Sequence, residues 1–206
     1  NKSLIIGSSG LVGSSLMEKL DPCTRIGLTR KKFGNFTNLR YFDFNQDLED
    51  VINPDENIST VYHLGHDYSD KKISGDNINI DFMKKIIQFC NKNNSKFIFL
   101  SSLAAQKNVN RYSFIKRECE SIALSYSKSI IIRSSMVTSD NGGLINKLNN
   151  LFKFLPFLLL PGKSNYPTYT IDLKNLSSFL LKLQNSTNFQ TIINAYDNGP
   201  IEFKKL

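Results

Sequence analysis

Cysteine is scarce in this 206-residue sequence. The three cysteines, Cys23, Cys90 and Cys119, are far apart, odd in number and without the short spacing of metal-ligand pairs. These features argue against a disulfide framework and against a metal site, and they are typical of core thiols in a reducing compartment. We therefore predict a cytoplasmic protein that binds no metal.

Long hydrophobic runs are also missing. The most apolar stretch, residues 151–162 (LFKFLPFLLLPG), is too short to cross a bilayer and contains Lys153, Pro156 and Pro161. Glycine and serine interrupt residues 1–20 before the apolar core of a signal peptide can form. We expect no membrane span and no targeting segment. The 40% hydrophobic content is enough for the core of one domain over residues 1–206.

The sequence has no basic stretch interleaved with aromatic residues, although basic residues outnumber acidic ones by 26 to 18. The lysines are scattered, which does not favour nucleic-acid binding. The net charge of +8 is compatible with a solvated lysine-rich surface, or with a field that attracts an anionic substrate or a phosphate-bearing cofactor. We expect a small-molecule partner and no nucleic acid.

Three glycines follow a short apolar run in LIIGSSGLVGSSLMEKL, residues 4–20, and a helical pattern begins among them. A strand that turns sharply into a helix needs glycine at the turn, where a ligand approaches the backbone, and where the helix packs on the strand. The helix N-terminus suits a pyrophosphate. We predict a dinucleotide-binding turn rather than an ordinary strand–turn–helix. The predicted cofactor contacts are Gly7, Ser9, Gly10, Leu11, Val12 and Gly13.

Basic residues follow the second β-like run, TRIGLTR at residues 24–30. An acidic side chain at this point of a dinucleotide fold would bind the ribose 2′-hydroxyl of NAD, whereas this chain has Arg30, Lys31 and Lys32. Cations here can bind the 2′-phosphate of NADP. The pattern favours NADP over NAD, with Arg30 and Lys31 as cofactor contacts. The alternative is an ordinary basic loop after a strand.

Strand-like and helical patterns alternate from residue 4 to residue 102. Residues 39–47, 58–66 and 96–102 are β-like, and residues 77–94 have helical periodicity. The alternation predicts an α/β fold with a doubly wound parallel sheet, in which ligands bind beyond the carboxyl ends of the strands. At those ends we expect Asp43 to contact the adenine, and Leu64 and Gly65 to contact the cofactor. His66 either lines the cofactor cleft or is a polar loop residue.

Tyr112 and Lys116 are four residues apart in YSFIK, where another helical pattern begins. This spacing places the phenol and the ammonium on one helical face. A phenol is a poor base at neutral pH, but a nearby ammonium favours the phenolate. A hydroxyl such as that of Ser102 could hold a substrate oxygen while Tyr112 gives or takes its proton. The alternative is a surface tyrosine on a helix.

Together these motifs resemble the short-chain dehydrogenase/reductase superfamily, in particular its extended and atypical members of the NAD(P)-dependent epimerase/dehydratase type. The resemblance rests on GSSGLVG (7–13), HLG (63–65), NINIDFMKKII (77–87), FIFLSSLAA (97–105) and YSFIK (112–116). It implies a Rossmann fold. It also implies that Tyr112 is the acid/base and that Lys116 lowers the pKa of the phenol and holds the nicotinamide ribose. The other implied catalytic residues are Ser102 and the supporting Asn79.

The resemblance also implies a small C-terminal appendage on the substrate side, a reduced lobe or lid over residues 139–170. Within it, residues 144–162 form a lid, a homodimer face or a helix packed on the core. Two departures from the family pattern leave the substrate open. Ser134 stands where the family usually has proline, and the interval from Ser102 to Tyr112 is short for sugar-nucleotide epimerases.

The function that the resemblance implies is an NADP-dependent oxidoreductase, which transfers a hydride between the nicotinamide and a carbonyl or alcohol substrate. One alternative is a nucleotide-sugar epimerase or reductase. Another is a regulatory or scaffold protein that senses NADP without turnover. The intact pair of Tyr112 and Lys116 favours an enzyme, because a sensor needs no acid/base.

Overall fold

The structure is a computed structural model that describes residues 1–30, 37–69, 77–107, 110–139, 167–197 and 199–202. Its strands in chain order are β1 (Lys2–Ile6), β2 (Arg25–Thr29), β3 (Leu39–Tyr41), β4 (Ile58–His63), β5 (Lys96–Ser102), β6 (Ser129–Ser134), β7 (Met136–Thr138), β8 (Pro167–Thr168), β9 (Thr170–Asp172), β10 (Thr191–Ala195) and β11 (Ile201–Glu202). Seven of them form one parallel sheet with the order β10-β6-β5-β4-β1-β2-β3. β7 pairs with β9, and β8 with β11.

Helices cover both faces of this sheet. Successive strand residues point to opposite faces, so Leu4 and Ile6 of β1 belong to one apolar cluster and Ile5 to the other. Helices α2 (Ile78–Asn93) and α3 (Arg111–Leu124) pack on the first cluster. Helices α1 (Leu11–Lys19) and α4 (Leu173–Leu183) pack on the second. Burial on both faces explains why the central strands are apolar throughout rather than alternating.

The turn between β1 and α1 depends on a very close approach of two backbone segments. Gly7 has a φ of +87°, in the left-handed region that favours glycine. A Cβ atom on Gly13 would lie 2.1 Å from the carbonyl oxygen of Gly7, so no side chain fits there. At the other end of α1, the buried Arg25 donates hydrogen bonds to the carbonyls of Met17 and Leu20 and caps the helix.

The strand order places a crevice above the glycine turn. From β1 the chain adds β2 and β3 on one side of the sheet, and β4, β5 and β6 on the other. Where the order reverses in a doubly wound sheet, ligands bind in the crevice beyond the carboxyl ends of the strands. The turn after β1 therefore lies where the fold offers a site.

The doubly wound parallel sheet that the sequence predicts is confirmed. β3 ends at Tyr41 and is shorter than expected, because a turn begins at Asp43. In this turn the Gln46 amide donates a hydrogen bond to the Asp43 carbonyl. Lys31 and residues 140–166, most of the predicted appendage, lie outside the described residues. The single domain stays a prediction. None of the described helices is both long and apolar enough to cross a membrane.

Gly13→Ala should destabilise the protein, since its Cβ would overlap backbone atoms that cannot move aside. We expect the free energy of unfolding to fall by about 1–3 kcal/mol, as urea denaturation would measure it. Gly10→Ala is the matched control, because its Cβ would lie 3.3 Å from the Gly7 oxygen, an approach that a small shift relieves. Equal stability of the two variants would contradict the packing described for α1.

Candidate active site

A cleft of about 490 Å³ opens at the carboxyl ends of the central strands. It brings together most of the residues predicted from the sequence. Those from the expected cofactor site are Gly7, Ser9, Gly10, Leu11, Leu64 and Gly65. Arg30 lines one end of the cleft wall, after β2, and Tyr112 and Lys116 line it from α3. The remaining predicted residues that the structure describes, Val12, Gly13, Asp43, Asn79 and Ser102, do not line this cleft.

The glycine turn is held between β2 and the loop after β4. The Gly7 amide donates to the Leu28 carbonyl, and the Gly10 amide donates to the Gly7 carbonyl. A Cβ on Gly7 would lie 2.7 Å from the Gly65 nitrogen, so the two loops touch through their backbones. Gly10 precedes α1 and offers no side chain to cap it. The first-turn N–H groups of α1 are thus oriented as donors for an anion at the cleft.

Side chains at the end of β2 contact both the glycine turn and the loop that follows β4. Thr29 donates a hydrogen bond of 2.7 Å to the Ser9 hydroxyl. The next residue, Arg30, donates from Nη1 to Asp67 Oδ2 at 2.5 Å. The Arg30 guanidinium also lies 5.9 Å from the centre of the Phe44 ring. The cation predicted for this strand end is therefore paired with a carboxylate that follows β4.

Aromatic residues after β3 occupy the part of the cleft where the sequence places Asp43. Phe42 and Phe44 line the cleft, and Phe44 comes within 3.1 Å of where a Cβ on Gly65 would lie. The Asp43 carboxylate instead accepts hydrogen bonds from the amide and side chain of Asn45. A contact between Asp43 and adenine stays a prediction.

Three rings form the wall near the start of α3. The His66 ring lies edge-on to both Tyr68 and Tyr112, at 4.6 and 5.0 Å between centres. Tyr68 stacks on Tyr112 at 6.0 Å. Burial, and then the charge of Lys116, lower the pKa of His66 to about 3. His66 therefore lines the cleft as an uncharged ring at neutral pH.

Lys116 is a buried cation one helical turn from Tyr112. Its Nζ donates to the Leu100 carbonyl at 2.9 Å and lies 4.7 Å from the centre of the Phe99 ring. The same ammonium is 5.9 Å from the centre of the Tyr112 ring. Burial lowers the pKa of Lys116 to about 8, against an ordinary value of 10.5. The side chain is still mainly protonated at neutral pH.

Burial raises the pKa of the Tyr112 phenol well above its usual range, and the neighbouring Tyr68 raises it further. Hydrogen bonding from Ser102 acts in the opposite direction. The Ser102 hydroxyl also accepts from the Ala104 amide at 3.2 Å, at the start of a short helical turn after β5. In the free protein, Tyr112 is thus a protonated phenol near a serine hydroxyl, and its pKa is raised rather than lowered as the resemblance implies.

Asn79 lies outside the cleft and holds the loop that follows β4. Its Oδ1 accepts from the Asp67 amide at 2.7 Å, and its Nδ2 donates to the Asp67 carbonyl at 2.9 Å. Asn77, which caps α2, accepts from both the amide and the side chain of Asn79. The Asn79 side chain thus holds the Asp67 backbone, and its supporting role in catalysis stays a prediction.

A buried polar network one helical turn after Lys116 was not predicted from the sequence. Glu120 forms a bidentate ion pair with Arg133 of β6, with 2.6 Å between Nη2 and Oε2. Ser101 of β5 donates to the same carboxylate. The four-residue spacing of Tyr112 and Lys116 continues to Glu120 on α3, and that repeat was the available signal. The network ties α3 to the ends of the two strands that border the cleft.

A second cavity of about 710 Å³ adjoins the cleft at Ser134, which lines both. Hydroxyl and amide groups dominate its polar lining, from Ser102, Ser134, Ser135, Gln106 and Asn194. The buried Ser135 hydroxyl has no hydrogen-bond partner among the described residues. Tyr169 and Tyr196 form an aromatic pair at its edge, 5.0 Å apart.

This arrangement places a phenol that can transfer a proton in the same cleft as the glycine turn. The helix N-terminus and glycine backbone can hold an anionic group. The phenol of Tyr112 can give a proton to a substrate oxygen. Among the described residues, no group of three or more His, Cys, Asp or Glu side chains could hold a metal ion.

Comparison with known proteins identifies a family and a fold. The model of the NAD dependent epimerase/dehydratase family matches residues 3–133. No curated protein matches the chain significantly. Solved structures resemble it closely in fold. A UDP-N-acetylglucosamine 4-epimerase from Bacillus cereus has a TM-score of 0.78 and 19% identity over 99% of this chain and 78% of its own.

Two further structures extend this comparison. L-threonine dehydrogenase from Phytophthora infestans has a TM-score of 0.81 and 13% identity, over 99% of this chain and 79% of its own. A hypothetical dTDP-4-dehydrorhamnose reductase from Sulfolobus tokodaii has a TM-score of 0.74 and 20% identity, over 100% of this chain and 79% of its own. The TM-scores establish a shared fold, whereas identities this low leave the substrate open.

Lys116→Met should stabilise the folded protein at pH 7. The unfolded chain binds the Lys116 proton more tightly than the folded protein does, because burial lowers the pKa of Lys116 from 10.5 to about 8. Keeping this ammonium charged in the folded protein therefore costs about 3 kcal/mol. Loss of the hydrogen bond to Leu100 offsets part of the gain, which leaves an expected increase of about 1–2 kcal/mol in chemical denaturation.

The control for this variant is Lys92→Met, whose side chain is 71% exposed and which should change stability by less than about 0.5 kcal/mol. The lowered pKa of Lys116 also predicts how stability depends on pH. The Lys116 contribution to wild-type stability should rise between pH 8 and 10.5, and the advantage of Lys116→Met should shrink over the same range. A Lys116→Met variant less stable than wild type at pH 7 would contradict the cost assigned to the buried ammonium.

Proposed function

The chain belongs to the NAD dependent epimerase/dehydratase family, and from this premise we propose that it is an NADP-dependent oxidoreductase acting on a small carbonyl or alcohol compound. The observation that carries the proposal is that Tyr112 and Lys116 line the same cleft as the glycine turn. An acid/base pair and a phosphate-binding turn in one cleft are the two parts that nicotinamide-dependent proton and hydride transfer requires.

The residues of the turn fit a dinucleotide. Gly7 and Gly13 have no room for a side chain, and Gly10 leaves the start of α1 open to the cleft. In the proposal, the backbone of Gly7, Ser9 and Gly10 and the first-turn amides of Leu11, Val12 and Gly13 hold the pyrophosphate. Leu64 and Gly65 border the cofactor from the loop after β4.

The proposed preference for NADP rests on the cations after β2. Arg30 lines the cleft and can bind a 2′-phosphate through its planar guanidinium. Lys31 is the second proposed cofactor contact after β2. Asp43 is the proposed contact for the adenine. The sequence supplies no carboxylate directly after β2 to bind the 2′-hydroxyl of NAD.

When bound, the nicotinamide supplies or accepts the hydride. In the reducing direction, Tyr112 gives its proton to the carbonyl oxygen, and Lys116 stabilises the resulting phenolate by its charge. Ser102 donates a hydrogen bond to the same substrate oxygen. Solvent then returns a proton to the phenolate. His66 is unsuited to the acid/base role, because its pKa of about 3 leaves it uncharged at neutral pH.

The second cavity favours one alternative substrate class, a nucleotide sugar. Its hydroxyl and amide lining beside Ser102 suits a substrate with many hydroxyl groups, and oxidation of a sugar hydroxyl needs the same Tyr112 and Lys116. A cofactor sensor or scaffold without turnover is the remaining alternative. The homodimer and the cytoplasmic location stay predictions.

Gly10→Val should abolish NADPH binding while leaving the fold intact, because the valine side chain would occupy the space between the helix start and the pyrophosphate. Calorimetric titration with NADPH should show affinity reduced by roughly a hundredfold or more, a change of about 2.7 kcal/mol or more. Gly199→Val, where a Cβ would meet nothing within 4 Å, is the matched control. A folded Gly10→Val protein with wild-type affinity would remove the turn from the cofactor site.

Tyr112→Phe should reduce turnover by about 10²–10⁴-fold, because it removes the proton donor and keeps the ring packing. Its NADPH affinity should barely change. The assay follows NADPH oxidation with a panel of aldehydes, ketones and sugar nucleotides, and Tyr41→Phe, at a tyrosine 56% exposed and outside the cleft lining, is the control. NADPH binding without turnover on any substrate would favour the sensor. Full turnover by Tyr112→Phe would disprove the mechanism.

A further inference from the structure

An ion pair spans two loops at the end of the cleft nearest β2. Arg30, directly after β2, and Asp67, four residues after β4, belong to strands on opposite sides of β1. The distance from Nη1 to Oδ2 is 2.5 Å. The two partners differ strongly in exposure, because the Arg30 side chain is 46% exposed and the Asp67 side chain only 4%.

The Asp67 carboxylate is held rigidly from several directions. Its Oδ1 accepts from both the amide and the hydroxyl of Ser69, at 2.7 and 2.6 Å. The backbone amide and carbonyl of Asp67 both form hydrogen bonds with the side chain of the buried Asn79. Burial alone would raise the pKa of Asp67, but the hydrogen bonds from Ser69 and the charge of Arg30 outweigh it and lower the pKa. Asp67 is therefore a fixed anion at neutral pH.

Asp67 fixes an arginine that would otherwise have many conformations. An exposed arginine loses rotamer entropy when a ligand immobilises it. Here Asp67 holds one end of the guanidinium, and the Phe44 ring lies 5.9 Å from its carbon. Arg30 lines the cleft, whereas Asp67 does not. The carboxylate thus contacts the guanidinium without itself forming part of the cleft lining.

We infer that Asp67 is a positioning residue for cofactor selection, which holds the Arg30 guanidinium in place to receive the 2′-phosphate of NADP. The inference rests on the proposed function and adds a residue from a second loop to it. A guanidinium has five N–H donors, and the contact with Asp67 uses Nη1. Preorganisation increases affinity because the ordering cost is met before the ligand arrives.

Competition between Asp67 and the phosphate for Arg30 would have the opposite effect on binding. The burial of Asp67 argues for positioning, since a competing carboxylate would need to share the ligand side of the guanidinium. The two roles predict opposite changes when the carboxylate charge is removed. A single substitution therefore decides between them.

The test is calorimetric titration of NADPH and NADH at one ionic strength with wild type, Asp67→Asn, Arg30→Ala and the double variant. Asp67→Asn keeps Oδ1 for Ser69 and removes the charge. We expect NADPH affinity to fall roughly three- to fivefold, about the value of one partly exposed charged contact, with NADH affinity unchanged within twofold. In the Arg30→Ala background, Asp67→Asn should have no further effect.

Glu56→Gln is the matched control, since Glu56 pairs with Arg40 at 2.6 Å and does not line the cleft. It should leave the ratio of the two affinities unchanged. Asp67→Ser replaces Asp67→Asn if the latter does not fold. Unchanged or higher NADPH affinity in Asp67→Asn, or an equal loss for both cofactors, would overturn the positioning role. Wild-type protein without a preference for NADPH would instead refute the proposed NADP assignment, on which the inference rests.

Discussion

The contact between α1 and the end of β1 is the constraint on which the cleft depends. A Cβ on Gly13 would lie 2.1 Å from the Gly7 carbonyl oxygen, and one on Gly7 would lie 2.7 Å from the Gly65 nitrogen. Three backbone segments therefore meet with no side chains between them. This packing sets the start of α1 beside the carboxyl ends of β1 and β4, so the helix amides face the crevice rather than the core.

Around that contact the protein buries charge in three ways. Arg133 and Glu120 form a bidentate pair, with Ser101 as a third partner, and Asp67 is satisfied by Ser69 and Arg30. Lys116 has a carbonyl and an aromatic ring as its nearest partners, and burial lowers its pKa to about 8. The first two arrangements stabilise loops and strand ends. The third is costly to stability, which is typical of groups kept for chemistry.

The sequence predicted the fold better than it predicted the limits of the site. The alternation of apolar strands with helical periodicity indicated a doubly wound sheet, because local patterns and long-range topology agree in parallel α/β folds. Tyr112 and Lys116 were found from helical spacing, which is a local property. Asp67 and Glu120 were missed because their partners, Arg30 and Arg133, are 37 and 13 residues away. Ser102 was expected in the cleft and lines the adjoining cavity, which it shares with Ser134.

By itself, the sequence determined the features that depend on neighbouring residues: the glycines that permit the turn, the helix that carries Tyr112 and Lys116, and the buried strands. These follow from backbone sterics and from side-chain periods of 2.0 and 3.6 residues. Only the tertiary structure decided which loops meet at the cleft. It paired Arg30 with Asp67 and Glu120 with Arg133. Strand order and burial decide such contacts, because both depend on residues far apart in the chain.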